Sequence, residues 1–299
     1  MQQPHENSVP QAALKIVPPN GGETTSIFGD WSRILLTCED TAGQFIACDR
    51  EAPSGSESPL HVHSREDEIH FVQSGCYEFS LDGDSIEVGP GTVVYCPRNV
   101  PHSFRMVGPE PGRALTFIWP GGCEHYFRRC ASEFATGAPD FRKIVQIGGE
   151  FGIALLTPEG IEAHRAMRTA SHKPQVISPL EGELWESHGT RIRVLLSAHQ
   201  TGGDCTLVEI TTPSNSGVTL PPRSHQREVF WIQKGRYEFQ TREQCVEAEA
   251  GTLIYAPVDT INAIRVIGPE RGQLVAAIFC SGMETPFFYN LSAPIGNPL

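Results

Sequence analysis

The sequence predicts an all-β protein made of two tandem barrels. An internal repeat spans most of the 299 residues, a length that corresponds to about two domains of 150 residues each. Short runs rich in β-branched and aromatic residues recur in each repeat, and 29 glycines and 24 prolines supply frequent turns between them. Short strands at close spacing are typical of closed antiparallel barrels and sandwiches.

The two repeats superpose without a gap when Gly22 is placed on Gly182, an alignment that we call the repeat register. Residues 73–79 (QSGCYEF) then fall on 233–239 (QKGRYEF), and residues 91–97 (GTVVYCP) fall on 251–257 (GTLIYAP). A shared register over this length indicates duplication of one domain. Each repeat should therefore fold into the same kind of barrel.

The strands of the first repeat follow from short apolar or alternating segments. Turn-forming stretches at 82–84, 89–91 and 108–112 interrupt these segments at close spacing. The predicted strands are 34–37, 44–48, 69–73, 76–81, 92–96 and 114–119.

A single helix is predicted between the repeats, over residues 139–149. Its apolar face comprises Phe141, Ile144, Val145 and Ile147, and the glycines at 148 and 149 should end it. Residues 1–15 are polar, and we expect them to be a flexible N-terminus.

Composition excludes several classes of partner. The chain has 35 acidic against 23 basic residues and a formal charge of −12, which disfavours nucleic acid or an anionic membrane as a partner. It has no apolar run close to the roughly 18 residues of a membrane span, and its first residues do not resemble a secretory signal. The nine cysteines are odd in number and form no CxxC pair, so we expect free thiols and a cytoplasmic location.

Four residues of the first repeat form a candidate metal site: His61, His63, Glu68 and His102. His61 and His63 are two positions apart, so on a strand their side chains face the same way. Glu68 has the wrong parity for one uninterrupted strand, and residues 64–67 should therefore form a bulge or tight turn. His102 must arrive from another strand. Three imidazoles and one carboxylate suit a divalent first-row metal, with iron, copper, nickel, manganese and zinc left open.

The spacing of these residues resembles the two sequence motifs of the cupin family. The first motif, Gly-x5-His-x-His-x4-Glu-x6-Gly, is filled at each fixed position by Gly55, His61, His63, Glu68 and Gly75. The second, Gly-x5-Pro-x-Gly-x2-His-x3-Asn, is matched by Gly91, Pro97 and His102. Asn99 and Met106 replace its second glycine and its final asparagine, which are turn and packing positions. The resemblance implies two jelly-roll (double-stranded β-helix) barrels, a bicupin similar to the quercetin 2,3-dioxygenase group.

The second repeat lacks most of the metal ligands. His61, His63, Glu68 and His102 fall on Pro221, Arg223, Glu228 and Asn262, so only the carboxylate is kept. We interpret Glu228 and Arg223 as an ion pair in place of a metal. The predicted organisation is therefore a cupin domain with the metal site at 16–138, a helical linker at 139–170 and a degenerate cupin domain without metal at 171–299.

Other residues near the candidate site have less specific interpretations. His70 lies two positions after Glu68 and should face the cavity, either as a group that handles protons beside the metal or as packing in the place of Phe230. Phe104, two after His102, is expected to form part of an apolar pocket wall. Tyr77 and Phe79 recur in the second repeat, which favours a role in the core.

The leading functional hypothesis is a metal-dependent dioxygenase. A substrate hydroxyl or enol can lose its proton on a metal ion, with Glu68 as ligand, base or both. The resemblance implies cleavage by dioxygen of a flavonol-like or polyketide-like aromatic enol, with one divalent metal per chain and Fe²⁺ placed ahead of Cu²⁺, Ni²⁺, Mn²⁺ and Zn²⁺. A non-oxidative isomerase, cyclase or decarboxylase would need the same residues. A non-catalytic binding bicupin is the third hypothesis, and a homodimer is expected by resemblance alone.

Overall fold

The structure is a computed structural model that describes residues 14–135, 140–167, 172–220 and 226–280. All six strands predicted in the first repeat are present. The elements of the first half are β1 Lys15–Val17, β2 Glu23–Ile27, β3 Asp30–Leu36, β4 Ile46–Ala52, β5 His61–His63, β6 Asp67–Ser74, β7 Tyr77–Leu81, β8 Asp84–Val88, β9 Val93–Cys96, β10 His102–Met106, β11 Gly112–Trp119, α1 Cys123–Phe134, α2 Phe141–Phe151, β12 Ile153–Leu155 and α3 Pro158–Met167.

The second half repeats this order of strands. Its elements are β13 Gln175–Ile177, β14 Glu183–Ser187, β15 Thr190–Leu196, β16 Cys205–Thr212, β17 Gly217–Thr219, β18 Gln226–Lys234, β19 Arg236–Thr241, β20 Cys245–Glu249, β21 Leu253–Ala256, β22 Ile261–Ile267 and β23 Gly272–Cys280. The predicted all-β class with two tandem barrels is confirmed.

Each barrel consists of two antiparallel sheets. In the first barrel a seven-stranded sheet, β13-β9-β6-β11-β4-β3-β2, accompanies a five-stranded sheet, β12-β5-β10-β7-β8. In the second barrel the order β1-β21-β18-β23-β16-β15-β14 accompanies β17-β22-β19-β20. The two large sheets have equivalent strand orders, as the sequence repeat requires.

The barrels exchange one strand each. β1 pairs with β21 of the second barrel, with Lys15 opposite Tyr255, and β13 pairs with β9 of the first barrel, with Gln175 opposite Tyr95. The repeat register relates these two pairings to each other, just as it relates the sequences. The division at residues 16, 139 and 171 stays a prediction, and each barrel includes one strand that comes from the other repeat. Residues 1–13 of the expected flexible N-terminus lie outside the described residues, and Lys15 lies in β1.

The barrels also share one apolar core. Phe45 from the first barrel stacks on Phe279 from the second, with ring centroids 3.8 Å apart and an interplanar angle of 8°. Trp119 packs edge-on against the same ring at 5.8 Å. These side chains belong to a single buried cluster drawn from both large sheets. Burial of apolar area therefore holds the two barrels together.

The helix predicted over 139–149 is α2, and two details of that prediction are wrong. Asp140 caps its N-terminus by accepting a hydrogen bond from the backbone N–H of Arg142, and Gly152 ends it in a left-handed conformation. Gly148 lies inside the helix, where a Cβ would come within 2.7 Å of the Ile153 carbonyl oxygen. Only Ile144 and Ile147 of the expected apolar face are buried, because Phe141 is 59% exposed and Val145 is 51% exposed.

The sequence analysis did not predict α1, whereas α3 lies within the helical linker expected at 139–170. Helix α1 follows the last strand of the first barrel and buries Cys123, Tyr126 and Cys130. It packs against β2 and α2, and so covers one end of the first barrel. The chain carries no helix, among its described residues, that has the length and apolar character to cross a membrane. All nine cysteines are free thiols, and of these Cys245 is exposed.

Candidate metal centre

The four predicted ligands lie together inside the first barrel. His61 and His63 are on β5, Glu68 is on β6, and His102 is the first residue of β10, directly opposite His61 in the sheet. One ligand atom from each of the four lies within 4.8 Å of the others. Glu68, His63 and His102 are all less than 5% exposed. Residues 64–66 form a bend between β5 and β6, and this bend lets the side chain of Glu68 point into the barrel.

Each histidine is held through its Nδ1 atom. The Nδ1–H of His61 donates to the carbonyl oxygen of Pro59 at 2.8 Å, and that of His102 donates to the carbonyl oxygen of Val100 at 2.9 Å. The Nδ1–H of His63 donates to the Glu66 carboxylate at 3.1 Å. A carbonyl oxygen can only accept, so these contacts place the proton on Nδ1 and leave the Nε2 lone pair free to bind a metal.

The contact between His102 and Glu68 tests whether a cation fits this site. The Nε2 atom of His102 lies 2.9 Å from Glu68 Oε2. Since the proton of a neutral His102 is on Nδ1, this contact brings two lone pairs together, which is unfavourable unless a positive charge lies between or beside them. A metal ion bound by both atoms, or a proton, supplies that charge. The donor set of three imidazoles and one carboxylate therefore fits a divalent metal.

The electrostatics of the cluster keep two of its members, Glu68 and His61, in the forms that bind metal. Burial raises the pKa of Glu68, but the charge of His63 and the nearby imidazoles of His102 and His70 outweigh this effect and hold that pKa well below its ordinary value. Burial, with the charges of His102 and His63, holds the pKa of His61 well below its ordinary value. An ionised carboxylate and a neutral imidazole are the protonation states of ligands.

The pKa values of His63 and His70 shift in opposite directions, although burial and nearby carboxylates act on both. Burial lowers the pKa of His63, but the carboxylates of Glu68 and Glu66 outweigh it and raise the pKa overall. Burial dominates at His70 and lowers its pKa despite the nearby Glu68. The Nδ1 atom of His70 is 3.0 Å from Thr116 Oγ1, and its Nε2 atom is 3.6 Å from Glu68 Oε2. His70 thus lies beside the ligand set, but it is not among the residues that line the cavity described below, which the sequence analysis expected it to face.

The two departures from the cupin motifs preserve the local structure. Asn99 has a φ of 63°, a left-handed conformation that asparagine adopts more readily than most residues. Its backbone N–H donates to the carbonyl oxygen of His63 at 2.7 Å, which ties this turn to the metal cluster. Met106 is buried, and its side chain packs where the backbones of Gly75 and Gly112 approach each other.

A cavity of about 60 Å³ lies against the metal cluster. It is lined by Ile27, Phe28, Asp30, Ser32, Arg50, Ser58, Pro59, His61, His63, Glu68, Tyr126, Phe127 and Leu155. Its wall differs from the sequence prediction, because Phe104 is covered by the Arg50 guanidinium, 4.4 Å above its ring centroid. Phe104 packs instead against His70 and Phe79.

Sequence reasoning missed several residues of this site. Arg50 and Asp30 form an ion pair on the cavity wall, with Arg50 Nη2 donating to Asp30 Oδ2 at 3.1 Å. Glu66, which holds His63, was assigned only to a turn. Tyr126 and Phe127 come from the helix α1 that was not predicted. The available signal for α1 was the helical spacing of the buried Cys123, Tyr126 and Cys130.

At three positions equivalent to polar residues beside the metal cluster, the second barrel has apolar side chains. The repeat register places Arg50, His70 and Thr116 on Ile210, Phe230 and Ala276. All three of these replacements belong to the buried apolar cluster of the second barrel. Glu228 is buried. Pro221 and Arg223 lie outside the described residues, and so does the ion pair expected between Arg223 and Glu228.

Tyr77 and Phe79 have the core role that their recurrence indicated. Both are 2% exposed, and their counterparts Tyr237 and Phe239 are equally buried in the second barrel. In each barrel the two rings pack in a tilted arrangement, with centroids 6.2 Å apart in the first and 6.1 Å apart in the second. The two barrels therefore share this part of the scaffold, while the residues around the metal cluster differ.

Parts of the chain resemble known proteins in sequence. Residues 50–119 match the family described as the cupin domain. The chain is 29% identical to quercetin 2,3-dioxygenase from Bacillus subtilis over 121 residues, which are 40% of this chain and 36% of that protein. It is 32% identical to an uncharacterized protein from Methanocaldococcus jannaschii over 68 residues, which are 23% of this chain and 54% of that protein. The matched segments thus span between a third and just over half of these relatives.

Solved structures resemble nearly the whole chain. A variant of oxalate decarboxylase from Bacillus subtilis superposes with a TM-score of 0.63 at 17% identity, covering 89% of this chain and 77% of that one. Another structure of the same decarboxylase, a protein with Mn(II) centres, has a TM-score of 0.61 at 16% identity and covers 90% of this chain and 78% of that one. Protein Ylba from E. coli has a TM-score of 0.64 at 12% identity and covers 91% and 93%. At these identities the likeness shows a shared fold alone.

Proposed function

We propose, on the premise that the chain is a bicupin related to the quercetinase-like group, that it is a metal-dependent dioxygenase acting on a small phenolic or enolic compound. The observation that carries this proposal is the convergence of His61, His63, Glu68 and His102 on one point beside a cavity. The match to quercetin 2,3-dioxygenase supports the oxidative reaction, although it covers only part of that enzyme. The cytoplasmic location and the homodimer stay predictions.

The proposed cofactor is one divalent transition metal per chain, held by His61, His63, Glu68 and His102. Fe²⁺ is our first candidate, and Cu²⁺, Ni²⁺, Mn²⁺ and Zn²⁺ satisfy the same donor set. When bound, such a metal would stabilise the oxyanion of a substrate hydroxyl or enol, and a redox-active ion would add reactivity toward dioxygen.

The chain's own residues bind the substrate and exclude water. Ile27, Phe28, Tyr126, Phe127 and Leu155 form the apolar part of the cavity wall. Such a wall suits an aromatic or enolic ring, with a few polar groups fixing its orientation. Helix α1 contributes two of these rings, so it limits the access of solvent to the cluster.

Glu68 and His70 are the residues that we propose handle protons. Glu68 is ionised and can accept a proton if its bond to the metal is loose, so it can act as ligand, base or both. His70 is neutral, lies 3.6 Å from Glu68 Oε2, and can share a proton with that oxygen. The Thr116 hydroxyl, 3.0 Å from Nδ1, keeps the His70 ring in this orientation.

A non-oxidative reaction is the second candidate, and one observation favours it. The cavity of about 60 Å³ is much smaller than the roughly 300–1,000 Å³ of pockets that hold drug-sized ligands. A charged arginine on its wall also suits a small carboxylate better than a flavonol. A decarboxylase, isomerase or cyclase acting on such a compound would use the same four ligands.

Oxygen uptake separates the two candidates. The purified, metal-loaded protein is screened against phenolic, enolic and 2-oxo acid compounds in an oxygen electrode, and each active compound is tested again under strict anaerobiosis. The dioxygenase proposal predicts uptake in proportion to turnover and no reaction without oxygen. Turnover at an undiminished rate without oxygen contradicts it and supports the non-oxidative enzyme. Elemental analysis with His61→Ala as control tests the third hypothesis, because a wild type without stoichiometric metal favours a non-catalytic binding protein.

A further inference from the structure

An ion pair lies on the wall of the cavity beside the metal cluster, and two of its polar atoms lack a hydrogen-bond partner among the described residues. Arg50 Nη2 donates to Asp30 Oδ2 at 3.1 Å. Arg50 Nε and Asp30 Oδ1 are both buried and lack a hydrogen-bond partner among the described residues. The side chain of Asp30 is 4% exposed, and that of Arg50 is 20% exposed. A buried donor and a buried acceptor without partners destabilise a fold, so stability alone does not explain this ion pair.

The position of Arg50 is set by the fold. Arg50 lies on β4 between Ser32 of β3 and Ala114 of β11, on the face of the large sheet that points into the barrel. Its guanidinium lies 4.4 Å above the centre of the Phe104 ring, and its other side faces the cavity. The aromatic ring below and the carboxylate beside it fix the planar group in place, as a preorganised anion site requires.

The second barrel has uncharged residues at the positions equivalent to Asp30 and Arg50. Asp30 and Arg50 correspond to Thr190 and Ile210 in the repeat register. Ile210 packs in the apolar cluster of that barrel, and Thr190 is buried. The scaffold therefore does not need an ion pair here. The pair occurs in the barrel that has the complete set of metal ligands.

We infer that Arg50, held by Asp30, binds a carboxylate of the substrate while the metal site receives its enol or keto oxygen. This inference rests on the proposed metal-dependent function and narrows the substrate to a small anion that carries both groups. Arg50 would bind the carboxylate through the N–H groups of its guanidinium that face the cavity, in a charge-assisted hydrogen bond. Asp30 is a positioning residue that keeps the guanidinium in place.

A matched pair of probes tests this inference. Kojic acid and comenic acid share one hydroxypyranone ring that chelates metals, but comenic acid carries a carboxylate where kojic acid carries a hydroxymethyl group. Their affinities are measured by isothermal titration calorimetry with the full chain, both loaded with metal and stripped of it. We expect comenic acid to bind about tenfold more tightly or better, since one charge-assisted hydrogen bond is worth at least that factor.

Three variants identify the group responsible. Asp30→Thr combined with Arg50→Ile installs the residues that the second barrel holds, and it should remove the preference for comenic acid. Arg50→Lys keeps the charge but loses the planar fork, and should leave a reduced preference. Arg105→Met removes an arginine that pairs with Glu78 on the exposed face of β10, and it should leave the preference unchanged.

The outcomes separate this inference from the proposed function. If the metal-loaded wild type binds both probes equally, or the double variant keeps the preference, the anion site is refuted while the metal centre stands. If the wild type holds no stoichiometric metal but prefers comenic acid in an Arg50-dependent way, the proposed function is refuted while the anion site stands. The wild-type comparison needs no variant, so it decides the question even if the double variant does not fold.

Discussion

Removal of the Glu66 side chain should weaken metal binding although Glu66 is not itself a ligand. Glu66 Oε2 accepts the Nδ1–H of His63 at 3.1 Å, and both residues are almost fully buried. The bond fixes the tautomer and the ring orientation of His63, so that Nε2 is aimed at the cluster. In Glu66→Ala the ring is free to rotate, and its Nε2 lone pair must be oriented when the metal binds.

The size of the effect follows from the type of bond that is lost. A buried hydrogen bond to a charged group contributes about 1.5–3 kcal/mol, which corresponds to about 10- to 100-fold in an equilibrium constant. Loss of groups that orient metal-binding histidines weakens metal affinity by the same range, about 10- to 100-fold. We therefore expect the metal dissociation constant of Glu66→Ala to rise by that factor. Glu66→Gln, which keeps an accepting oxygen, should show a smaller rise.

The assay is competition for metal against a chromophoric chelator at fixed pH. Glu78→Ala serves as the matched control, because Glu78 pairs with Arg105 on the surface and is remote from the cluster. Its dissociation constant should equal that of the wild type. An unchanged dissociation constant in Glu66→Ala, with the fold intact by circular dichroism, would refute the reasoning that the second nitrogen of His63 needs a partner.

Two further predictions concern the scaffold and its thiols. Phe45→Ala removes a fully buried ring that stacks on Phe279 between the barrels, so the free energy of unfolding should fall by about 3–5 kcal/mol in denaturant titration, and a loss below about 1 kcal/mol would contradict a shared core. Burial and the Glu124 carboxylate raise the pKa of Cys38 to about 12, so its rate of alkylation by iodoacetamide should still be rising above pH 10, whereas a plateau below pH 9 would contradict this environment.

The sequence predicted the fold class because its evidence was local and repeated. The repeat register, with the strands and turns of each copy, was enough to infer two equivalent barrels. The exchange of β1 and β13 was not predictable in this way. Three-residue strands carry a weak local signal, and their partners Tyr255 and Tyr95 lie far away in the sequence. Only the assembled sheets show where such strands pair.

The ligands of the candidate metal site were predictable because their spacing is distinctive, but their surroundings were not. Glu66 and Arg50 are charged residues within polar stretches, and charged residues in such contexts are usually exposed. Their burial depends on the closure of the barrel and on the packing of α1 against it. The glycines at 148 and 149 were misjudged for a similar reason. Gly148 lies inside the helix, and its lack of a side chain lets the backbone of Ile153 pack closely against it. The sequence of the helix alone does not reveal this contact.

The central claim is that one cation is bound by His61, His63, Glu68 and His102 in the first barrel. Anomalous X-ray scattering at the absorption edge of the metal found by elemental analysis tests it most directly. We predict one anomalous peak per chain, at about 2.0–2.2 Å from the Nε2 atoms of the three histidines and from a Glu68 oxygen. A crystal of metal-supplemented protein with no peak among these four side chains, or with its peak in the second barrel, would contradict the account.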